Sequence, residues 1–320
     1  MADLSISFGG LELRNPILSA SGTFGHGAEM RFMTPPETLG GLVGKSVSLR
    51  PRAGNPAPRI CETRAGFLNS IGLENRGVDA YCRDVLPTLL GVDTIVITNI
   101  AGETVEEFEA LAARLESEAA VDAIEVNLSC PNVQGGKLPF STDPRTAEDV
   151  IRRVRRATTK TVIAKLSPNV TRIAEIGRAC EGGGADAVTC TNTVLGMSVD
   201  WRTRKPGLAT GMGGYSGPAV KPIALRCAWE CVDALTIPVI GCGGIETVDD
   251  VLEFIVVGCR AVQVGTACFA DPSLPATLAG QLAARLESVG VHSISELTGT
   301  LHWPGRPASA PGGSIGAKSR

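Results

Sequence analysis

Short apolar runs recur along the chain and predict the strands of a parallel sheet. They lie at fairly regular intervals, at residues 17–20, 42–47, 94–99, 123–127, 161–165, 187–190, 238–241 and 261–264. Most are continuous rather than alternating, which is typical of strands buried on both faces. Before them, residues 4–8 and 11–13 alternate apolar and polar side chains around Gly9-Gly10, which predicts a hairpin.

Amphipathic segments between these runs predict helices. Residues 105–116 place Phe108 and Leu111 on one face and acidic side chains on the other. Thr142-Asp143-Pro144 is typical of the start of a helix over 145–157. Further helices are predicted at 251–257, after Thr247, and at 275–288. Strands alternating with helices predict a doubly wound open sheet or a closed (β/α)8 TIM barrel with an N-terminal hairpin, and the motifs below favour the barrel.

Two long connections interrupt the alternation, at residues 48–76 and 191–217. Both follow strands, so in a barrel both would lie as long loops at the C-terminal rim, where barrel enzymes do their chemistry. We expect them to be functional loops without regular structure. The domain prediction is one barrel domain over residues 1–303, and a disordered tail rich in Pro, Gly, Ser and Ala over 304–320.

Composition narrows the class of protein. The chain has 320 residues, 43% hydrophobic and 20% charged, and a net charge of −3 with a pI near 5.8, so no basic surface for nucleic acid is predicted. The sequence shows neither a secretory signal nor a run of 18 apolar residues, and a cytoplasmic protein without a membrane span is expected. The ten cysteines contain no Cys-x-x-Cys pair, which predicts reduced, apolar thiols and no metal site.

Glycine turns follow the last two predicted strands. Gly241-Cys242-Gly243-Gly244 ends one strand, and Gly265-Thr266 ends the next. Glycines let backbone N–H groups approach an anion, and many barrels bind phosphate at these two positions. The alternative is that the glycines only make tight turns, but the pair favours a phosphate site.

Polar side chains end several of the other strands. Asn127 and Cys130 follow the fourth run, and Lys45 and Lys165 close two others. Cys130 alone would be read as a buried apolar residue, and each lysine could pair with a structural carboxylate. Together with Asn99 and Asn192, which end further strands, they indicate a site for a neutral, hydrogen-bonding heterocycle and an anion.

Five motifs in register resemble one family. Gly-Lys-Ser at residues 44–46, Asn-Ser-Ile-Gly-Leu-x-Asn at 69–75, Asn-Leu-Ser-Cys-Pro-Asn at 127–132, Thr-Asn-Thr at 191–193 and Gly-Cys-Gly-Gly-Ile at 241–245 are similar to class 1 dihydroorotate dehydrogenases, specifically class 1B. The resemblance covers residues 4 to 303 and implies a barrel with FMN at the C-terminal rim.

The resemblance also implies the roles of individual residues. Cys130 would be the catalytic base for the C5 proton of dihydroorotate, and Lys165 would stabilise charge on the flavin after C6 delivers hydride. FMN would contact Ser21, Lys45, Ser46, Asn99, Asn127, Lys165, Thr191, Gly217, Gly243, Gly244, Gly265 and Thr266. The substrate would contact Lys45, Asn69, Ser70, Ile71, Gly72, Leu73, Asn127, Asn192 and Thr193.

Class 1B resemblance further implies a partner subunit that carries FAD and a 2Fe-2S cluster and passes electrons to NAD⁺, in a 2+2 heterotetramer. The chain has no Gly-x-Gly-x-x-Gly after a strand and no clustered cysteines, so neither NAD nor the cluster has an evident site here. The alternatives are a fumarate-linked class 1A enzyme, a dihydropyrimidine dehydrogenase-like FMN barrel and an inactive barrel kept as a scaffold subunit. The acidic pI argues against a dihydrouridine synthase, which would need a surface for RNA.

Overall fold

The structure is a computed structural model that describes residues 1–129 and 139–305. The chain begins with a hairpin of β1 (Ile6–Phe8) and β2 (Leu11–Leu13), which confirms the predicted hairpin with a shorter first strand. The carbonyl of Gly9 in its turn accepts a hydrogen bond from Thr161 Oγ1 at 2.6 Å. The hairpin therefore lies at the N-terminal end of the strand that Thr161 begins. Beyond Gly305, the predicted tail lies outside the described residues.

The remaining strands of the described chain follow in order. They are β3 (Ile17–Ser19), β4 (Gly41–Val43), β5 (Ile60–Thr63), β6 (Gly66–Asn69), β7 (Ile95–Ile100), β8 (Ala123–Asn127), β9 (Thr161–Leu166), β10 (Ala187–Cys190), β11 (Val194–Met197), β12 (Val199–Asp200), β13 (Lys205–Pro206), β14 (Met212–Ser216), β15 (Val239–Cys242) and β16 (Ala261–Val264).

Eight parallel strands within the described residues close into a barrel in the order β3, β4, β7, β8, β9, β10, β15 and β16. Pairing of Val262 with Ile17 joins the last strand to the first. The predicted (β/α)8 barrel is therefore confirmed, and each of its strands coincides with a predicted apolar run. The second run was predicted over 42–47, but β4 ends at Val43. Beyond β4, an isolated bridge pairs Val47 with Ile100.

The helices of the described residues surround this barrel. They are α1 (Val78–Ala80), α2 (Leu86–Leu89), α3 (Val105–Glu116), α4 (Pro144–Ala157), α5 (Ile173–Gly183), α6 (Lys221–Ala234), α7 (Val248–Val257) and α8 (Leu274–Ser288). One π-helical turn, Tyr81–Val85, joins α1 to α2. After β3 the chain forms short 3-10 turns, at Ala28–Met30 and Pro36–Thr38, where a full helix would complete the repeat.

Side-chain caps fix the starts of two helices that the sequence predicted, α4 and α7. Asp143 accepts a hydrogen bond from the N–H of Thr146 at 2.9 Å, and Thr247 forms a reciprocal capping box with Asp250. Left-handed Gly258 ends α7. The buried faces of these helices pack on the barrel strands through an apolar core that includes Phe108, which lies edge-on to Phe140. No helix in the described part of the chain is long and apolar enough to cross a membrane.

The expectation that the two long connections lack regular structure is wrong. Residues 48–76 contribute β5 and β6, residues 191–217 contribute β11 and β14, and these strands form one antiparallel sheet in the order β11, β14, β6, β5. The pairing of Gly214 with Asn69 joins the two connections. Each connection alone offers only short strands, so the sheet forms because the barrel brings both to the same rim, as predicted for loops that follow strands.

Candidate active site

A polar network occupies the centre of the barrel. Glu125 of β8 is fully buried, and its carboxylate accepts hydrogen bonds from Asn99 Nδ2 at 2.7 Å, Thr189 Oγ1 at 2.9 Å and Gln263 Nε2. Ser46 extends the network from the end of β4, because its hydroxyl donates to Asn99 Oδ1 at 2.5 Å. A buried carboxylate is tolerated only where it is paired or hydrogen-bonded, and side chains from three other strands meet that requirement here.

Lys165 of β9 contacts the same network. Its Nζ lies 3.4 Å from Glu125 Oε1, and it donates to Gln263 Oε1 at 2.6 Å and to Ser21 Oγ at 3.4 Å. Burial lowers the pKa of this ammonium, but the charge of the Glu125 carboxylate and its hydrogen bond to Lys165 more than offset that effect and hold the pKa above its ordinary value. Lys165 is therefore protonated, and the structural ion pair that the sequence left open as an alternative is present.

Two asparagines meet at the C-terminal rim. Asn127 ends β8, and its Oδ1 accepts a hydrogen bond from Asn192 Nδ2 at 3.1 Å. Backbone hydrogen bonds fix the segment that holds Asn192, since the N–H of Thr191 donates to Cys242 O and the N–H of Asn192 donates to Leu166 O, both at 2.8 Å. Each amide keeps further donor or acceptor positions for a ligand. The prediction that polar strand ends converge is therefore correct for this pair.

The glycine turn after β15 packs on the start of α6. Gly243 and Gly244 have φ values of 130° and 74°, which favour glycine. A Cβ on Gly244 would lie 2.7 Å from Lys221 N, and one on Gly243 would lie 2.9 Å from Ala224 Cβ. Within residues 1–129 and 139–305, no backbone carbonyl accepts a hydrogen bond from the N–H of Gly244, which lies beyond the end of β15. Free N–H groups beside a helix N-terminus are suited to an anion.

The turn after β16 lies at the neighbouring strand end. Gly265 is followed by a 3-10 turn, Thr266–Phe269, and a Cβ on Gly265 would lie 3.2 Å from Ala20 Cβ, just after β3. Gly217 follows β14 and packs on β6, because a Cβ there would meet Gly66 Cα at 2.6 Å. Gly243, Gly244 and Gly265 thus end adjacent strands, whereas Gly217 lies on the approach to α6.

Comparison with known proteins identifies the family. A family model described as dihydroorotate dehydrogenase matches residues 3–286. The chain belongs to the dihydroorotate dehydrogenase family. It is 49% identical over 299 residues to the catalytic subunit of dihydroorotate dehydrogenase B (NAD(+)) of Geotalea uraniireducens, which covers 93% of this chain and 98% of that protein. Proteins of the same name in Geobacter sulfurreducens and Trichlorobacter lovleyi are also 49% identical over the same shares of both chains. The class 1B resemblance predicted from five motifs is confirmed.

The family motif at residues 69–75 forms the end of β6 and the turn after it. Asn69 Nδ2 donates to Gly214 O at 3.2 Å, which ties the motif to β14. Asn75 accepts a hydrogen bond from the N–H of Ser48 at 3.2 Å and donates to Leu73 O at 2.7 Å. Leu73 has a φ of 56°, an uncommon value for a branched side chain. Asn75 therefore stabilises the turn that contains the predicted substrate contacts.

Asn55 holds the middle of the same motif. Its Nδ2 donates to Ser70 Oγ at 2.8 Å, and its N–H donates to Ile71 O at 3.0 Å. Gly72 approaches so closely that a Cβ there would lie 2.7 Å from Asn55 N. Asn55 does not belong to the motif, but its hydrogen bonds to Ser70 and Ile71 fix the shape of the loop.

The other predicted substrate contacts lie beside these groups. Lys45 follows β4, half-buried, and its N–H donates to Gly25 O at 2.7 Å. Its charge also helps to lower the pKa of the neighbouring His26, an effect that is due first to burial and that Glu29 opposes. Thr193 donates its N–H to Asn192 Oδ1 at 2.8 Å, which holds the amide of Asn192 in place.

The predicted base, Cys130, lies outside the described residues, as do residues 131–138. The described chain leads as far as Ser129, whose N–H donates to Asn127 Oδ1 at 3.2 Å. The role of Cys130 stays a prediction from the family resemblance.

Sequence reasoning assigned no role to Glu125, Thr189 and Gln263. Each is an uncharged or acidic polar residue within an otherwise apolar strand, and all are at most 1% exposed. That pattern was a usable signal, because a polar residue inside a doubly buried strand needs a partner. Asn55 and Asn75 were also missed as organising residues, since their partners Ser70 and Ser48 lie far away in the sequence.

The chemistry open to this rim follows from its groups. Protonated Lys165 and the amides of Asn99, Asn127 and Asn192 offer donors and acceptors at the barrel rim, and the turn at Gly243-Gly244 offers the N–H of Gly244 for an anion. A flat heterocycle joined to a phosphate matches both parts. The residues of this chain therefore fit a flavin mononucleotide.

Proposed function

We propose that this chain oxidises dihydroorotate to orotate with FMN as cofactor, as the catalytic subunit of a class 1B enzyme. The supporting observation is that a buried, protonated Lys165, the amide pair Asn127 and Asn192, and the glycine turn at Gly243-Gly244 all lie at strand ends on one rim, in a member of the dihydroorotate dehydrogenase family. Binding of dihydroorotate and FMN together requires these three features: a charged group, neutral amides and an anion site.

FMN combines a hydrogen-bonding ring with a phosphate, and different groups suit each part. The N–H of Gly244, beside the start of α6, suits the phosphate, and the protonated Lys165 suits the polar edge of the ring. When bound, the flavin supplies an acceptor for the hydride that leaves C6 of the substrate. The residues that would hold it are Ser21, Lys45, Ser46, Asn99, Asn127, Lys165, Thr191, Gly217, Gly243, Gly244, Gly265 and Thr266.

Dihydroorotate presents a cyclic imide edge and a carboxylate. Side-chain amides match the imide, since each offers both a donor and an acceptor, and the Lys45 ammonium matches the carboxylate. The residues that would contact it are Lys45, Asn69, Ser70, Ile71, Gly72, Leu73, Asn127, Asn192 and Thr193. Asn55 and Asn75 hold the loop that supplies five of these contacts.

The proton of C5 goes to Cys130. Removing that proton together with the C6 hydride turns the C5–C6 single bond into a double bond, so the atoms and the two electrons balance. A free thiol with a pKa near ~8.5 is mostly protonated at neutral pH, so the base needs a neighbouring positive charge or mildly alkaline conditions. Lys45, at the same rim, is the group we assign to favour the thiolate.

The electrons leave through a second subunit. The relatives named above are called catalytic subunits of an NAD(+)-dependent enzyme, which is the basis for proposing a partner that carries FAD and a 2Fe-2S cluster, in a 2+2 assembly with NAD⁺ as final acceptor.

Anaerobic titration of the purified chain with dihydroorotate tests the function. We expect a yellow protein whose flavin absorbance bleaches as one equivalent of substrate is added, with orotate formed in equal amount. Dihydrouracil serves as the matched control, because it lacks only the carboxylate and should bleach the flavin far more slowly. A colourless protein that takes up no FMN would contradict the proposal and favour the inactive scaffold. Efficient reoxidation by fumarate would move the chain to class 1A.

A further inference from the structure

Glu125 is a buried carboxylate that the proposed reaction does not use. Its side chain has no exposed surface, at the middle of the barrel. Four described side chains surround it, with Asn99 Nδ2 at 2.7 Å, Thr189 Oγ1 at 2.9 Å, Lys165 Nζ at 3.4 Å, and Gln263 Nε2. An isolated carboxylate in such a place is costly, so its presence indicates that its charge has a use.

Gln263 connects the carboxylate to Lys165. Its Oε1 accepts from Lys165 Nζ at 2.6 Å, while its Nε2 donates to Glu125. The amide can take only this orientation, because an ammonium has donors alone and a carboxylate has acceptors alone. Two of the three N–H groups of Lys165 are therefore directed to Gln263 and Glu125. The third is on the side of Ser21, 3.4 Å away, which follows β3 at the rim.

The pair also fixes the charge of Lys165. The titratable groups that face Lys165 within the described residues are Glu125 from β8 and Cys242 from β15. Burial raises the pKa of Cys242, so this thiol is protonated and neutral. Glu125 is then the only negative charge that faces Lys165 in the described residues, and the net charge of the pair is zero. Because both side chains are buried, water does not screen their interaction.

We propose that Glu125 is a positioning residue that acts through Lys165: it keeps the ammonium protonated and aimed at the rim, and its charge sets how readily the bound flavin accepts a hydride. This inference rests on the proposed function, in which FMN lies against Lys165. Negative charge arrives at the flavin with the hydride, so a net charge of zero beneath it favours the reduced cofactor less than a lone ammonium would.

Glu125→Gln tests this, because the amide keeps the size of the side chain and removes its charge. With Lys165 still protonated, a net positive charge would face the flavin, and its midpoint potential should rise. We expect at least a tenfold change in the ratio of affinities for reduced and oxidised FMN, which is about 30 mV for a two-electron couple. Measuring the potential of the FMN-loaded chain against dyes, at several pH values, reads this out without turnover.

The pH dependence separates positioning from a merely structural role. Without Glu125, burial dominates and the pKa of Lys165 falls below its usual value. Below that pKa the variant should have the raised potential, and above it, with Lys165 neutral, the potential should return toward that of the wild type. The wild-type protein, whose Lys165 pKa is raised, should lack this additional ionisation over the same range.

A double variant keeps the test valid if Glu125→Gln folds poorly. Glu125→Gln with Lys165→Met removes both charges, and replacing a buried pair in full is tolerated better than breaking it. Here the added pH dependence should vanish, because Lys165 is the group that titrates.

Asp186→Asn is the matched control. Asp186 pairs with Arg155 at 2.9 Å just before the start of β10, at the opposite end of the barrel. Loss of this charge should leave the flavin potential unchanged.

The outcomes distinguish this inference from the proposed function. If the wild-type chain binds FMN and is bleached by dihydroorotate, yet Glu125→Gln shows the wild-type potential at every pH, only the role of Glu125 is overturned. The same holds if the added ionisation persists in the double variant. If the wild-type chain binds no FMN, the proposed function and this inference fail together.

Discussion

Replacing Gly244 by alanine tests whether the turn after β15 holds the flavin phosphate. Gly244 has a φ of 74°, and its added Cβ would lie 2.7 Å from both Cβ and N of Lys221, in the first turn of α6. Gly290 offers a matched control, because it has a φ of 72° but an added Cβ there meets nothing within 4 Å. The two variants share the same backbone strain and differ in what the methyl group displaces.

The magnitudes follow from these contacts. Both variants should lose about 1–2 kcal/mol of unfolding free energy, the cost of a left-handed conformation for a residue with a Cβ. Gly244→Ala should lose about 1–3 kcal/mol more, because the start of α6 must move. That shift displaces N–H groups from the phosphate, and losing one hydrogen bond to a charged group costs about 1.5–3 kcal/mol, so FMN affinity should fall roughly 10- to 150-fold.

Quenching of FMN fluorescence gives the dissociation constant, and urea unfolding of the apoprotein gives the stability. We expect Gly290→Ala to bind FMN as the wild type does, and Gly244→Ala to bind it much more weakly. If Gly244→Ala keeps wild-type affinity while its stability falls as expected, the turn has no part in holding the phosphate and its glycines serve packing alone.

Three further predictions concern the base, the acceptor and the end of the described chain. Cys130→Ala should keep FMN but slow its reduction by dihydroorotate about 10²–10⁴-fold in stopped flow, and a near-normal rate at neutral pH would exclude this base. The isolated chain should reduce dyes but not NAD⁺ at a useful rate until a FAD and iron–sulfur subunit is added, and rapid NAD⁺ reduction alone would contradict the class 1B assignment. Trp303, stacked on Trp229 at 4.0 Å, should contribute about 0.5–1.5 kcal/mol beyond its buried area, so Trp303→Ala should lower the urea midpoint without changing FMN affinity.

The barrel could be predicted because its strands carry a local signal. Each is a short continuous apolar run, and the helices between them begin at recognisable caps such as Asp143 and Thr247. The helix α5 was not predicted, because its first turn has no capping side chain and glycines interrupt its apolar face. Local patterns therefore gave the order of elements better than their boundaries.

The antiparallel sheet of β5, β6, β11 and β14 could not be predicted, because its central strands pair with partners far away in the sequence. Gly214 pairs with Asn69, which lies 145 residues earlier in the sequence. Only the barrel, by ending β4 and β10 at the same rim, brings these segments together. The loop conformation at residues 69–75 depends in turn on Asn55 and Asn75, whose partners are set by that tertiary arrangement.

The candidate site could be predicted only in part, because some of its contacts depend on non-local strand pairing. Strand ends are visible in the sequence, so Lys165, Asn127 and Asn192 could be assigned to one rim. Which polar side chains meet inside the barrel depends on register: Asn99 pairs with Glu125, and Thr189 pairs with Lys165. Because alternate residues of a strand point inward, a shift of one position would have separated them, and the sequence does not fix that register by itself.

The structure divides its positive charges between two tasks. Lys221 packs against the turn at Gly243-Gly244, but its Nζ is already paired with Asp250 at 2.6 Å and with Glu253 at 2.9 Å. The phosphate end of the proposed FMN site therefore depends on backbone N–H groups and on the start of α6 rather than on a free cation. In the proposed site, Lys165, held by Glu125, would serve the ring end instead. An ammonium at the phosphate would stabilise bound FMN equally before and after hydride transfer, whereas one beneath the ring acts on the charge that the transfer creates.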